Sequence, residues 1–161
     1  MLLTMRKSRT IALVGMFIAL TVIGGLIKLP SPTGTVALDS TSAFVSALLL
    51  GPTAGALVGA LGHLVSSMFV GFPLTLPIHL LIAFEMAIIC AFTGLISRKL
   101  SLTITLFIAL LLNGVAAPAL FILVPGFGIG FFIAMVIPLI VGSGINLLIT
   151  GVLVRYFKER L

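Results

Sequence analysis

Residues 100–154 read LSLTITLFIALLLNGVAAPALFILVPGFGIGFFIAMVIPLIVGSGINLLITGVLV, 55 positions without one Asp, Glu, Lys or Arg. As a single straight α-helix this stretch would be roughly 80 Å long, more than twice a bilayer hydrocarbon core of about 30 Å. It must fold back, and Pro125-Gly126-Phe127-Gly128 is where helix-breaking residues concentrate. The rest of the chain is of the same kind. Of its 161 residues 61% are apolar and 7% charged, with a mean hydropathy of +1.43. A soluble domain carries about 25% charged residues, so a water-soluble globule is excluded. The composition describes a polytopic membrane protein, read as one membrane domain over residues 1–161.

Nine Lys and Arg face three Asp and Glu, for a net charge of +6. In a soluble chain this balance would suggest nucleic acid. Here the charges sit in three clusters at the ends of apolar runs, Arg6-Lys7-Arg9, Arg98-Lys99 and Arg155-Lys158-Arg160, with Lys28 alone between. That placement is expected of topology signals and not of a phosphate-binding face. Cys90 has no second cysteine to pair with. The first apolar run has no persuasive small-residue cleavage site and is read as a retained span.

Marking the breakers leaves six apolar segments, near residues 10–27, 39–50, 53–70, 77–96, 101–124 and 130–154. A loop at residues 29–35 separates the first two, because two prolines and a glycine preclude a helix there. The second segment holds 12 residues, about 18 Å, which is short for a span. With six spans both termini share a side. Eight of the nine basic residues then fall on that side, leaving only Lys28 opposite. The positive-inside rule makes that side cytoplasmic. The expected fold is an all-α bundle of six transmembrane helices with cytoplasmic termini.

Ionisable groups in a bilayer are costly, and the few that persist point to a site. They are Asp39, His63, His79 and Glu85, with Asn113 and Asn146 as neutral companions. On the six-span topology most lie in the external half, which suggests a pocket open to the outside. Asp39, His79 and Glu85, with His63 or Asn113, would orient a small polar solute, and Phe127 is an external-half aromatic beside them. Asp39, His79, His63 and Asn146 have plainer readings. Asp39 would cap the second helix, His79 would sit among headgroups, and His63 would bond across helices. Asn146 reads as packing glue. His63 and His79 are expected at different heights and no ligand spacing links them, so no metal or haem is expected. Phosphate-binding loops, nucleophile elbows and zinc-protease motifs are also missing, so neither catalysis nor a cofactor is expected.

Small residues form two stripes. Gly51, Gly55, Gly59 and Gly62 run along the third span and are expected to pack internally. Gly15 and Ala19, preceded by Ala12, form a smooth stripe on the first span that would suit docking of another membrane protein if it faces outward.

From Thr35 to Gly94 the chain resembles the substrate-binding (S) components of energy-coupling factor vitamin transporters. The resemblance is carried by Val36-Ala37-Leu38-Asp39 and by the run from Leu48 to Gly59, an L-L-G-P-x-x-G-A-x-x-G core. It implies a vitamin binder in a bacterial cell membrane with no ATPase of its own, working with a coupling transmembrane subunit and two ATPase subunits. Family members carry an Ala-x-x-x-Ala motif that contacts the coupling subunit, and Gly15-x-x-x-Ala19 matches it with one small-residue replacement. The segments Gly62-His63, Gly71-Phe72-Pro73 and Pro77 to Ala83 are most similar to members linked to cobalamin precursors, in particular α-ribazole. Pantothenate and hydroxymethylpyrimidine are the alternatives. Leu2 stands where a cobalt or nickel member would carry histidine. A different class, a stand-alone proton-coupled carrier using Glu85 and a histidine, is the competing reading.

Overall fold

The computed structural model describes residues 7–31 and 34–159. Arg6 and Arg160 of the basic clusters, and Pro32 and Thr33 of the first loop, lie outside the described residues. Helix α1 (Lys7–Gly25) stops at a pair of glycines. The expected loop is instead a short antiparallel hairpin, β1 (Lys28–Ser31) with β2 (Gly34–Ala37), in register Lys28↔Ala37 to Ser31↔Gly34. Pro30, which opposes a helix, is tolerated in a two-stranded ribbon, where every strand is an edge.

Helix α2 (Thr41–Leu49) has only nine residues, about 13 Å. Every residue from Ala43 to Leu48 is buried. It is a core helix, so among the described residues the six expected spans become six helical segments, of which five are long and apolar enough to cross a membrane. The chain reverses at Gly51, whose φ of 108° is available to glycine at low cost, and Pro52 opens α3 (Pro52–Phe69). Helix α4 (Leu76–Ile96) follows a tight link with Phe72 and Thr75 in the left-handed region.

The fifth segment is not one helix. Helix α5 (Leu102–Leu111) runs into a π-helical turn (Leu112–Ala116), a one-turn α6 (Ala117–Leu120) and a 3₁₀ turn (Phe121–Leu123). Pro118 explains the break, since it brings no N–H to the carbonyl four residues earlier. The Ala117 N–H bonds back to the Leu112 carbonyl, the longer step of a π-helix. Helix α7 (Gly128–Lys158) has 31 residues.

Close approaches give the helix directions. A Cβ on Gly62 would strike Thr21 and one on Gly25 would strike Ser66, so α1 and α3 run parallel. Segment 38–50 therefore returns between them, short as its helix is. A Cβ on Gly55 would strike Ala47, and one on Gly94 the Ala47 carbonyl and Pro52, which places α2 against both α3 and α4. Gly51 lies beside Arg98, and Val154 packs with Leu48. The ends of α2, α4 and α7 thus share one end of the bundle, together with the start of α1 and the described basic residues other than Lys28. Around the outside are apolar side chains such as Ile137, Leu148 and Val152, as a lipid-facing surface requires. The chain is a multi-pass membrane protein.

The internal glycine stripe makes a direct prediction. A Cβ on Gly59 would come within 2.9 Å of the Met86 carbonyl, whereas one on Gly15 meets nothing within 4 Å. Gly59→Ala is expected to lower stability by about 1–3 kcal/mol. Gly15→Ala should leave it unchanged, as thermal unfolding in detergent will show.

Candidate functional site

Above the first turn of α2, where a full-length helix would have continued, lies a cavity of about 200 Å³. The chain enters it through Asp39 and Ser40; α3 contributes His63, Ser66 and Ser67; α4 contributes His79 and Glu85; the π-helical turn contributes Asn113. Lys28 of β1 is also on its wall. Five of the six residues expected from sequence as solute contacts therefore share one cavity. Phe127 is the exception. Its ring packs 5.3 Å from Phe121 and 4.8 Å from Phe131 (centroid distances), and those two rings line the cavity in its place. The spacing of Phe127 and Phe131, one turn apart just past a helix-breaking turn, is the signal that could have pointed to the second ring.

The histidines are not at separate heights. His63 Nε2 and His79 Nδ1 are 3.1 Å apart. His63 lies six residues before the end of α3 and His79 three after the start of α4, so their levels differ by roughly 5 Å, within reach of two imidazoles. Nor does His79 sit among headgroups, since it is buried. Phe72 packs on it with centroids 5.6 Å apart.

The neutral tautomers follow from the network. The Leu74 N–H donates to His79 Nε2 at 3.4 Å, so the ring proton of His79 is on Nδ1. That N–H donates to His63 Nε2, which leaves the His63 proton on Nδ1, facing Asp39 Oδ2 at 4.0 Å. Ser67 Oγ lies 3.3 Å from the same His63 Nε2, and Ser66 stands with Asp39 on the cavity wall beside Gly25. The result is an ordered line from a backbone amide through two imidazoles to a carboxylate. The imidazole nitrogens that face each other are within hydrogen-bond distance of each other. No metal-holding group of three His, Cys, Asp or Glu occurs among the described residues.

Asp39 does not cap α2. Ser40 is the N-cap residue and makes no side-chain cap bond. The cap comes from across the bundle: Asn146 Oδ1 accepts from the Thr41 N–H at 3.1 Å and from Thr41 Oγ at 2.7 Å, while its Nδ2 donates to the Gly142 carbonyl at 2.9 Å. Asn146 is packing glue of a specific kind, a helix cap supplied in space and not in sequence. Higher on α7, Ser143 accepts from Asn113 Nδ2 at 2.8 Å, which fixes the π-helical turn to α7. Glu85 differs from all of these. Its Oε1 is buried and has no hydrogen-bond partner among the described residues. Chemically the cavity offers hydrogen-bonding groups chiefly from the link to α2, α3 and α4, and rings and aliphatic groups chiefly from the 3₁₀ turn and α7, where Ser143 and Asn146 also line it. That combination serves binding.

A family model described as the S component of an ECF-type riboflavin transporter matches residues 5–160. No curated protein gives a significant match. The match spans the bundle without singling out residues, so the network needs its own test. Asn146→Ala leaves the first N–H of α2 unmet in a dry interior and is expected to cost about 1–3 kcal/mol of stability, read by thermal unfolding. A variant as stable as the parent would show that another acceptor replaces Asn146.

Proposed function

The chain belongs to the S components of ECF-type riboflavin transporters, and from that premise we propose that it captures riboflavin for an importer energised by other subunits. It is a transport subunit and not an enzyme. The observation that carries the substrate reading is the cavity, with rings and aliphatic groups chiefly on one wall and polar groups chiefly on the other. A flat fused heterocycle with a hydroxylated tail suits such a division. Riboflavin has both parts. α-Ribazole, which the histidine-bearing segments resemble, has a smaller fused ring and a ribosyl tail and is the second reading. Pantothenate and hydroxymethylpyrimidine have no fused ring.

On this reading Asp39, His63, His79, Glu85 and Asn113 contact the solute, and Phe121 and Phe131 stack on its ring while Phe127 braces them. The basic end of the bundle is cytoplasmic by the positive-inside rule, so both termini are inside and the cavity opens outward. Gly15 and Ala19 are exposed on α1, with nothing within 4 Å of where a Gly15 Cβ would be. This smooth strip is the docking face for the coupling transmembrane subunit, which works with two ATPase subunits. The Asp39–His63–His79 line favours the competing reading, a proton-coupled carrier. Uphill accumulation by this chain alone in proteoliposomes, driven by a pH gradient, would establish that reading instead.

Purified protein is expected to quench flavin fluorescence stoichiometrically, and mass spectrometry of co-purifying small molecules should find a flavin. No affinity for riboflavin, α-ribazole, pantothenate or hydroxymethylpyrimidine would overturn the proposal. Gly15→Leu and Ala19→Leu should abolish cellular uptake while leaving riboflavin affinity unchanged. Loss of binding in these variants would mean that the strip supports the fold and not docking.

A further inference from the structure

Among the described residues, several polar groups of the cavity are paired within the protein, and one buried side-chain oxygen on its wall, Glu85 Oε1, is not. His63 and His79 bond each other, Asn113 donates to Ser143, and Asn146 is engaged through both its oxygen and its nitrogen. Glu85 lines the cavity, is only 6% exposed, and leaves Oε1 buried without a partner among the described residues. A carboxyl oxygen in a dry site is unfavourable without a hydrogen bond. Ile82 and Met86, next to Glu85 on the same helix, are apolar and line the cavity with it.

We propose that Glu85 is a specificity residue that reads an N–H on the edge of the solute's heterocycle, of the lactam or imide kind. The proposal rests on the reading above, that a fused-ring vitamin occupies this cavity. As a carboxylate, Glu85 accepts directly from an N–H. As a carboxylic acid, it presents a donor and an acceptor side by side, which match the C=O and N–H of an imide edge. An N–H satisfies Oε1 in either form, whereas a ring offering acceptors only leaves an oxygen unmet. Glu85 is six residues beyond His79 on α4, about 9 Å deeper along the helix. The ring enters edge first and its tail stays nearer the rim, where His79 and Lys28 line the cavity. The isoalloxazine of riboflavin carries an imide N–H, and the benzimidazole of α-ribazole has none. Glu85 thus selects between the two solutes that the fold-level reading leaves open.

The test is a fluorescence titration of the full chain with riboflavin and with N3-methylriboflavin, in which the imide N–H is removed. Wild-type protein is expected to bind the methylated flavin about 10- to 100-fold more weakly. Glu85→Ala should weaken riboflavin by a similar factor and lose the discrimination between the two flavins. Glu85→Gln, which keeps an acceptor at the same place, should recover part of the affinity. The wild-type comparison stands even if Glu85→Ala fails to fold. Equal binding of both flavins by wild type, or discrimination that survives in Glu85→Ala, overturns the role of Glu85 and leaves riboflavin capture intact. Binding of α-ribazole with no binding of either flavin overturns both.

Discussion

Everything in this bundle depends on how a nine-residue helix is held inside a membrane. Helix α2 fills about 13 Å of a hydrocarbon slab about 30 Å thick. Hydrocarbon offers no partner to the open N–H groups of its first turn, so acceptors must come from the protein. Asn146, on a helix more than a hundred residues later, supplies one. The small residues of α3 and α4 then close on α2 at backbone distance, with Gly55 on Ala47 and Gly94 on the Ala47 carbonyl and Pro52. Because α2 stops short, the space above it is filled by no helix. The hairpin and the link to α2 border that space, and the cavity occupies it.

The polar groups around the cavity follow from the same constraint. A membrane interior tolerates hydrogen-bonding side chains when they are paired, and the pairs here also fix geometry. The line from the Leu74 amide through His79 and His63 toward Asp39 sets both ring tautomers. The Asn113–Ser143 bond ties the π-helical turn to α7 and holds one wall in place. Such turns occur often where a helix must offer a side chain it would otherwise turn aside, and Pro118 supplies the local cause. Against this paired background the open Oε1 of Glu85 stands out. Its position fits a site whose last hydrogen bond comes from the solute.

Much of the architecture was legible in order of residues. Charge clusters and breakers marked six segments, and the starts and ends of α3 and α4 came within a residue or two. The second segment was visibly short, but not that it is wholly internal, because an apolar run reads alike whether it faces lipid or neighbouring helices. The hairpin at residues 28–37 was invisible for a related reason: its stability comes from cross-strand pairing, which leaves little mark in four-residue strands. In the site, Asp39, His63, His79, Glu85 and Asn113 were legible because ionisable and amide groups are rare in this chain. Phe121 and Phe131 were not, since twelve phenylalanines differ only in what they face.

The amino-acid order alone determined that this is a membrane protein, how many apolar segments it has, and which few polar side chains its interior must accommodate. Those follow from the free energy of placing each residue in hydrocarbon, a property of the residue and its near neighbours. Only the tertiary structure decided that two histidines sixteen positions apart touch, that Asn146 and not Asp39 caps α2, and that Glu85 Oε1 has no hydrogen-bond partner among the described residues. Hydrogen bonds act over about 3 Å, so which groups meet depends on helix directions and depths that no local pattern encodes.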